Sequence, residues 1–165
     1  MQTYRYQVIK YIFFKFLLRF SCPGGTSGQY IFIQKHDEYL HVNYISVLVN
    51  EKCTLCHKSI PLTISGQSSV HGGDHSRWGS SLALTELSCG QSGYWHSAHD
   101  DPNPWISFKM SQSHEVAVVK VVDRYNYYYD QFKNVEVSVG TTSEINDSGR
   151  KSCGIQSFHD RTTYE

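Results

Sequence analysis

The sequence predicts an all-β protein, a β-sandwich or barrel, and three observations lead to this prediction. Short segments rich in valine, isoleucine and tyrosine recur along the chain and alternate apolar with polar residues, as half-buried strands do. The connections between them are dense in Gly, Ser, Asn and Asp, residues that favour turns. A single short stretch, SLALTELS at residues 81–88, suits a helical turn or two. Many short strands joined by turns are typical of all-β sandwiches and barrels.

Five segments carry the strand pattern most clearly. In the segment 134–140, Val135, Val137 and Val139 share one face, while Glu136 and Ser138 share the other. In chain order the segments are QYIFIQK (29–35), YISVLVN (44–50), WISFKM (105–110), EVAVVKVVD (115–123) and NVEVSVG (134–140).

Length and charge limit the choice of function. The 165 residues, 39% of them hydrophobic, are enough for one ordinary domain with one core. Fifteen basic and fifteen acidic residues give a net charge of zero, so no overall field favours a nucleic-acid partner. We therefore expect a neutral ligand, or one that is recognised by a local group of residues rather than by the overall charge.

The cysteines and the N-terminus give different indications of compartment. The five cysteines are widely spread, which favours disulfides in an oxidising compartment, and a glycosylation triplet at residues 146–148 agrees weakly with secretion. The N-terminal apolar runs are interrupted by Lys10, Lys15 and Arg19, so they form neither a signal peptide nor a transmembrane segment. Either the chain is not exported, or its true start lies upstream.

One motif suggests a bound cofactor or metal. The sequence CTLCH, Cys53 to His57, matches the haem-attachment pattern C-x-x-C-H and also supplies a zinc half-site. The strand-rich chain argues against haem, and the lack of a second C-x-x-C or paired Cys/His motif argues against zinc. We read these cysteines as disulfide-forming residues in a linker, and we expect no cofactor and no metal.

Histidines near residue 96 invite a search for a catalytic centre. His71 and His75, and His96 and His99, are close in sequence, but the nearby serines lack a nucleophile elbow. The aspartates Asp100 and Asp101 precede Pro-Asn-Pro, a turn sequence. We predict that the protein is not an enzyme; a hydrolase using His96, His99 and Asp100 is the weakest alternative.

Two tryptophans flank this histidine-rich loop. Trp105 opens a strand and is expected to fill the core, as large aromatic side chains usually do. For Trp95 a core position and a place in a ligand-binding surface remain equally open.

Residues 93–142 resemble the discoidin (coagulation factor 5/8 type C) domain and its fucolectin-like, galactose-binding-domain-like relatives. The resemblance lies in Pro104-Trp105, the valine-rich strand 116–122, Asp123-Arg124 and the strand 135–140 that ends in Val-Gly. It extends from about Pro61 to the end of the chain. It implies an extracellular jelly-roll β-sandwich that binds glycans, lipid head groups or proteins through loops at one end.

The resemblance also implies an unusual order of segments. After Cys153-Gly154 the family has a second cysteine and closing strands, whereas residues 20–49 are similar to that ending. We therefore divide the chain into residues 1–50, the closing strands of a discoidin-like module; a linker, residues 51–60; and residues 61–165, a module without its own closing strands. Either the N-terminal strands complete the second module in circularly permuted order, with Cys22 bonded to Cys153, or they belong to a preceding module of a tandem array.

The ligand-binding residues implied by the resemblance transfer only in part. Fucose-binding relatives use a histidine and an Arg-x-Asp-x4-Arg stretch; His96 or His99 supplies the imidazole and Arg124 the first arginine. Asn126 and Gln131 depart from that pattern, which puts fucose specificity in doubt. Tyr44 replaces the carboxylate of calcium-binding relatives, so calcium is not expected.

The loop after the valine-rich strand is rich in tyrosine. Tyr125, Tyr127, Tyr128 and Tyr129 offer aromatic faces for stacking on a sugar or entering an interface, and inward packing of some of them remains equally open. The predicted ligand-binding set is His96, His99, Arg124, Tyr125, Asn126, Tyr127 and Tyr128.

These observations give one functional hypothesis and one alternative. The first is an extracellular recognition module that binds carbohydrate or another cell-surface ligand in adhesion or innate glycan recognition, multivalent through tandem modules. The alternative is a protein-interaction or structural fragment of a tandem-repeat protein without sugar binding. We expect His96, Arg124 and the tyrosines to lie at one end of the sandwich.

Overall fold

The computed structural model describes residues 17–36, 38–50, 57–85, 93–122 and 133–156. The described part is mostly strand, which confirms the predicted all-β class. Its strands are β1 (Leu17–Ser21), β2 (Ser27–Lys35), β3 (His41–Val42), β4 (Tyr44–Asn50), β5 (His57–Ile60), β6 (Leu62–Gln67), β7 (Trp95–His96), β8 (Trp105–Val122), β9 (Val135–Gly140) and β10 (Lys151–Gln156).

The long strand β8 belongs to two groups of antiparallel strands. Its first part pairs with β2 and β6, and the sheet continues from β2 through β9 to β10. Its second part pairs with β1 and β4, and the sheet continues from β4 to β5. The two groups form the layers of a β-sandwich, and one cluster of buried side chains draws on both. Its members include Phe20, Ile31, Ile33, Leu40, Ile45, Val47, Trp95, Ile106, Phe108, Met110, Val119 and Val137.

The N-terminal strands complete the sandwich. Strand β2 lies between β8 and β9, with Ile33 opposite both Ile106 and Val137, and β4 pairs with β8, with Val47 opposite Val119. The circularly permuted order predicts that both strands pair with the 105–140 region, and they do. Part of the segment assigned to a linker, His57–Ile60, forms β5 and extends the second layer beside β4.

Close packing of β2 against β9 requires a glycine. A Cβ atom on Gly28 would collide with the backbone carbonyl of Gly140. The glycine therefore lets the two strands approach where β2 begins and β9 ends.

A disulfide joins the two layers. Cys22 directly follows β1, where its N–H donates to the Ala117 carbonyl, and Cys153 lies in β10. Their sulfur atoms are bonded and their Cα atoms are 4.1 Å apart, within the 7 Å limit for a disulfide. The pairing of Cys22 with Cys153 implied by the resemblance is thus present.

The tryptophans and helices differ in part from the sequence-based expectation. Trp95 is fully buried, whereas Trp105, expected in the core, is half-buried, and its ring lies over Gly66 of β6. The helical turn predicted at 81–88 is a 3-10 helix, Ser80–Leu84; a second 3-10 helix, His71–Gly73, and α1 (His75–Trp78) were not predicted. Within the described ranges, no helix is long and apolar enough to cross a membrane.

Candidate functional site

Among the described residues, seven ring-bearing side chains gather at one end of the sandwich, and we call them the ring cluster. They lie beside the end of β8, where the Asn43 N–H donates to the Val122 carbonyl over 2.9 Å. The ring of His96 is central, with its centroid 4.0 to 6.2 Å from the ring centroid of every other member. The members are Tyr39, His41, His71, Trp78, Tyr94, His96 and His99.

A two-stranded ribbon of β3 and β7 places four of these rings. His41 is paired directly with His96, and their ring centroids are 4.0 Å apart, because directly opposed residues project to the same face. Tyr39 and Tyr94 lie two residues earlier on each side, so alternation brings them to that face as well. The opposite face carries Val42 and Trp95, both fully buried in the core.

Ser97 forms hydrogen bonds to Leu40, the residue that precedes β3. Its Oγ accepts a hydrogen bond from the Leu40 N–H over 2.9 Å, and its own N–H donates to the Leu40 carbonyl. Both residues are fully buried, so these bonds form away from water. They fix how the histidine-bearing loop enters the site.

Ser69 holds the loop that carries His99. The Ser69 Oγ accepts from the Ala98 N–H and donates to the Asp101 carboxylate, while the Trp95 indole N–H donates to the Ser69 carbonyl. The other oxygen of Asp101 accepts from the Asn103 N–H. Asp101 therefore stabilises a turn, while Asp100 beside it is exposed.

His71 and Trp78 reach the cluster from the segment after β6. Gly72 and Gly73 have φ of 58° and 69°, left-handed values that suit glycine, and they reverse the chain between His71 and α1. Asp74 then caps α1, its Oδ1 accepting from the Ser76 and Arg77 N–H groups over 3.1 Å.

The Asp74 carboxylate is stabilised by this capping. The hydrogen bond from the Ser76 hydroxyl, followed by that from the Arg77 N–H, lowers its pKa below 3.8. The cap thus favours the geometry that holds His71 and Trp78 in place.

The members of the ring cluster differ in their exposure to solvent. His41, Tyr94 and His96 are at most 5% exposed; Tyr39, His71 and Trp78 are half-buried, and His99 is exposed. The guanidinium of Arg77 lies 4.8 Å from the Trp78 ring centroid, a cation–π distance. The surface thus combines aromatic faces, imidazole nitrogens and one guanidinium.

The protonation of His96 follows from its neighbour. Its Nδ1 is hydrogen-bonded to the Ser97 carbonyl, which can only accept, so Nδ1 carries the proton. In the neutral ring Nε2 then keeps its lone pair.

Three histidines of the cluster converge. His71, His96 and His99 each offer a ring nitrogen, and these atoms all lie within 4.8 Å of one another. His71 and His96 stack with centroids 4.5 Å apart, while His99 meets both edge-on at 4.7 and 5.0 Å.

The structure brings some of the sequence-predicted residues together. His96 and His99 are neighbours in the ring cluster, as described above. Arg124, Tyr125, Asn126, Tyr127 and Tyr128 lie outside the described residues, as does Tyr129.

Sequence reasoning missed several members of the cluster. His71 was considered as a catalytic residue and set aside; Tyr39, His41, Trp78 and Tyr94 were not considered. One signal was available: Tyr39-Leu40-His41 and Tyr94-Trp95-His96 repeat a Tyr-apolar-His pattern. Alternation along paired strands places such residues on one face.

Fold and site together define an all-β sandwich with a ring-rich surface at one end. Comparison with known proteins found no matching family model, curated protein or solved structure.

Proposed function

We propose that the protein is a discoidin-like recognition module that binds carbohydrate at the ring cluster. The observation that carries this proposal is a half-exposed surface on which aromatic rings and hydrogen-bonding groups are combined, at Tyr39, His71, Trp78 and His99. Sugar sites need both, because the apolar face of a sugar ring packs on an aromatic ring while its hydroxyls require polar partners.

The arrangement of the layers supports the same proposal. The N-terminal strands fill the place between β8 and β9, which fits a jelly roll completed in circularly permuted order. The disulfide supports an extracellular location. In this proposal Arg124 and Tyr125, Asn126, Tyr127 and Tyr128 add hydrogen bonds and aromatic faces to the surface.

The main alternative is protein recognition without sugar affinity. Aromatic residues and arginine are also enriched in protein interfaces, and Arg77 with Trp78 would suit such a contact. A catalytic role for Asp101 is less well supported, because its carboxylate is engaged in a turn.

A glycan array tests the proposal. The chain should be displayed as a tetramer, because one shallow site binds weakly and multivalency raises apparent affinity by roughly 100- to 10,000-fold. We expect binding to a related set of glycans, and loss of it in the tetramer of Tyr39→Ala/His99→Ala.

Tyr30→Ala is the matched control, since Tyr30 is a half-buried tyrosine of β2 whose ring lies near Lys109. Absence of glycan binding by the wild-type tetramer would contradict the proposal and favour protein recognition. Equal binding by the wild type and Tyr39→Ala/His99→Ala would place the sugar elsewhere.

A further inference from the structure

We infer that His71, His96 and His99 form a binding site for a divalent transition-metal ion of the zinc class. This inference goes beyond carbohydrate recognition and does not depend on it. It departs from the expectation from the sequence that no metal is bound, which rested on the CTLCH segment and on Tyr44 rather than on these histidines.

The donor atoms determine the class of ion. Three imidazole nitrogens within 4.8 Å of one another suit zinc, copper, nickel or cobalt. Calcium and magnesium prefer oxygen ligands. Zinc is the natural choice for three histidines without a carboxylate.

The geometry requires only a small contraction. Zinc–nitrogen bonds of about 2.0–2.1 Å in a tetrahedral site place the nitrogens roughly 3.4 Å apart, compared with separations of up to 4.8 Å here. His99 is exposed and lies in a turn, and His71 precedes two glycines in left-handed geometry. Both rings can therefore move toward His96, which the core holds in place.

The surroundings of His96 are those of a metal ligand. Metal-binding histidines usually donate their second ring N–H to a carbonyl or carboxylate, which orients the ring and fixes the tautomer. The Nδ1 of His96 makes this kind of bond to the Ser97 carbonyl, which orients the ring. The rings of Tyr39 and Trp78, whose centroids lie 5.5 and 5.7 Å from that of His96, would add apolar surface near the ion.

Three protein ligands leave one coordination position open. Because His99 is exposed, that position faces solvent and accepts water or an oxygen atom of a bound ligand. The ion would thus lie on the surface proposed to bind sugar, and the same surface would have a metal-loaded and a metal-free state.

Calorimetric titration with Zn²⁺ tests the inference. The chain should be made without a histidine tag, stripped with a chelator and studied in its oxidised form. We expect one ion per chain and a higher thermal unfolding temperature with Zn²⁺. His99→Ala and His71→Ala should each weaken binding by more than the roughly 10–100-fold typical of losing an outer-sphere partner.

His75→Ala is the matched control, because His75 is exposed and begins α1 only four residues after His71; it should bind as the wild type does. Substitution of Co²⁺ adds an independent readout, since an all-nitrogen site gives a visible spectrum without thiolate charge transfer. The inference is wrong if the wild type takes up no ion, if His71→Ala and His99→Ala bind normally, or if thiolate bands place the ion on Cys53 and Cys56. Glycan binding should also be measured with and without chelator. This measurement distinguishes failure of the metal inference from failure of the carbohydrate proposal.

Discussion

His96 shows how one residue serves both the fold and the site. It is 4% exposed and paired across the ribbon with His41, so its ring is held by packing. Its Nδ1 hydrogen bond to the Ser97 carbonyl orients the ring further. A buried, oriented imidazole surrounded by more exposed rings is a rigid base for the proposed binding surface.

Replacing Ser97 tests how firmly this base is held. Ser97→Ala removes the oxygen that accepts from the buried Leu40 N–H, and we expect the free energy of unfolding to fall by about 1–3 kcal/mol. Urea unfolding measures it. Ser113→Ala, at an exposed position of β8, should change it by less than about 0.5 kcal/mol; equal effects of the two would contradict the assigned role of Ser97.

Asp74 gives a prediction about pH. Its pKa is lowered in the folded protein, so its stabilising contribution is present above the unfolded value of 3.8 and lost as pH falls through the lower folded value. The amide NMR signals of Ser76 and Arg77, which donate to this carboxylate, should titrate with a midpoint below 3.8. A midpoint at or above 3.8 would show that the capping bonds are absent in solution.

At the scale of elements, strand pairing decided which predictions succeeded. Segments with strong alternation, such as 134–140, form strands as predicted. The ribbon of His41–Val42 and Trp95–His96 escaped notice because two-residue strands have no measurable period. Its position depends on long-range pairing, which sequence alone does not encode locally.

The longest strand, β8, is a second case in which the local sequence pattern did not reveal the full element. Residues 105–110 and 115–123 were read as two strands because SQSH between them has no apolar residue. In the structure residues 111–113 are exposed but extended, and β8 runs without interruption as it passes from one layer to the other. Solvent exposure on both faces removed the pattern without ending the strand.

The turn before α1 is an element whose geometry can be tested. Gly72→Ala should destabilise the protein by about 1–2 kcal/mol, the usual cost of a left-handed L-residue, because Gly72 has φ of 58° while nothing lies within 4 Å of an added Cβ. Thermal unfolding measures the loss of stability. Because His71 would shift, we also expect weaker binding of the proposed carbohydrate ligand.

Gly24→Ala is the matched control for this variant. Gly24 also has open space around an added Cβ but has no left-handed backbone. The Gly24→Ala variant should therefore unfold at the wild-type temperature. If Gly72→Ala does so too, the turn is not constrained as described.

For the whole molecule, the disulfide is the main covalent constraint in the described ranges. It joins positions 131 residues apart and ties β1 to β10 across the layers. Cys22→Ser/Cys153→Ser should lower the free energy of unfolding by about 2–5 kcal/mol, mainly through the larger freedom of the unfolded chain. Urea unfolding under oxidising conditions measures this, and reduced wild type should match the double variant. Identical midpoints for the oxidised wild type and the double variant would contradict the linkage.

The measurement that tests the central claim most directly is an NMR titration of the isotope-labelled chain with D-galactose and L-fucose at millimolar concentration. A ring cluster that binds carbohydrate predicts saturable shifts in the ring signals of Tyr39, His71, Trp78 and His99, with those of Tyr30 and His114 unchanged. Signals that do not shift with either sugar, or shifts confined to the far side of the sandwich around residues 141–150, would contradict it.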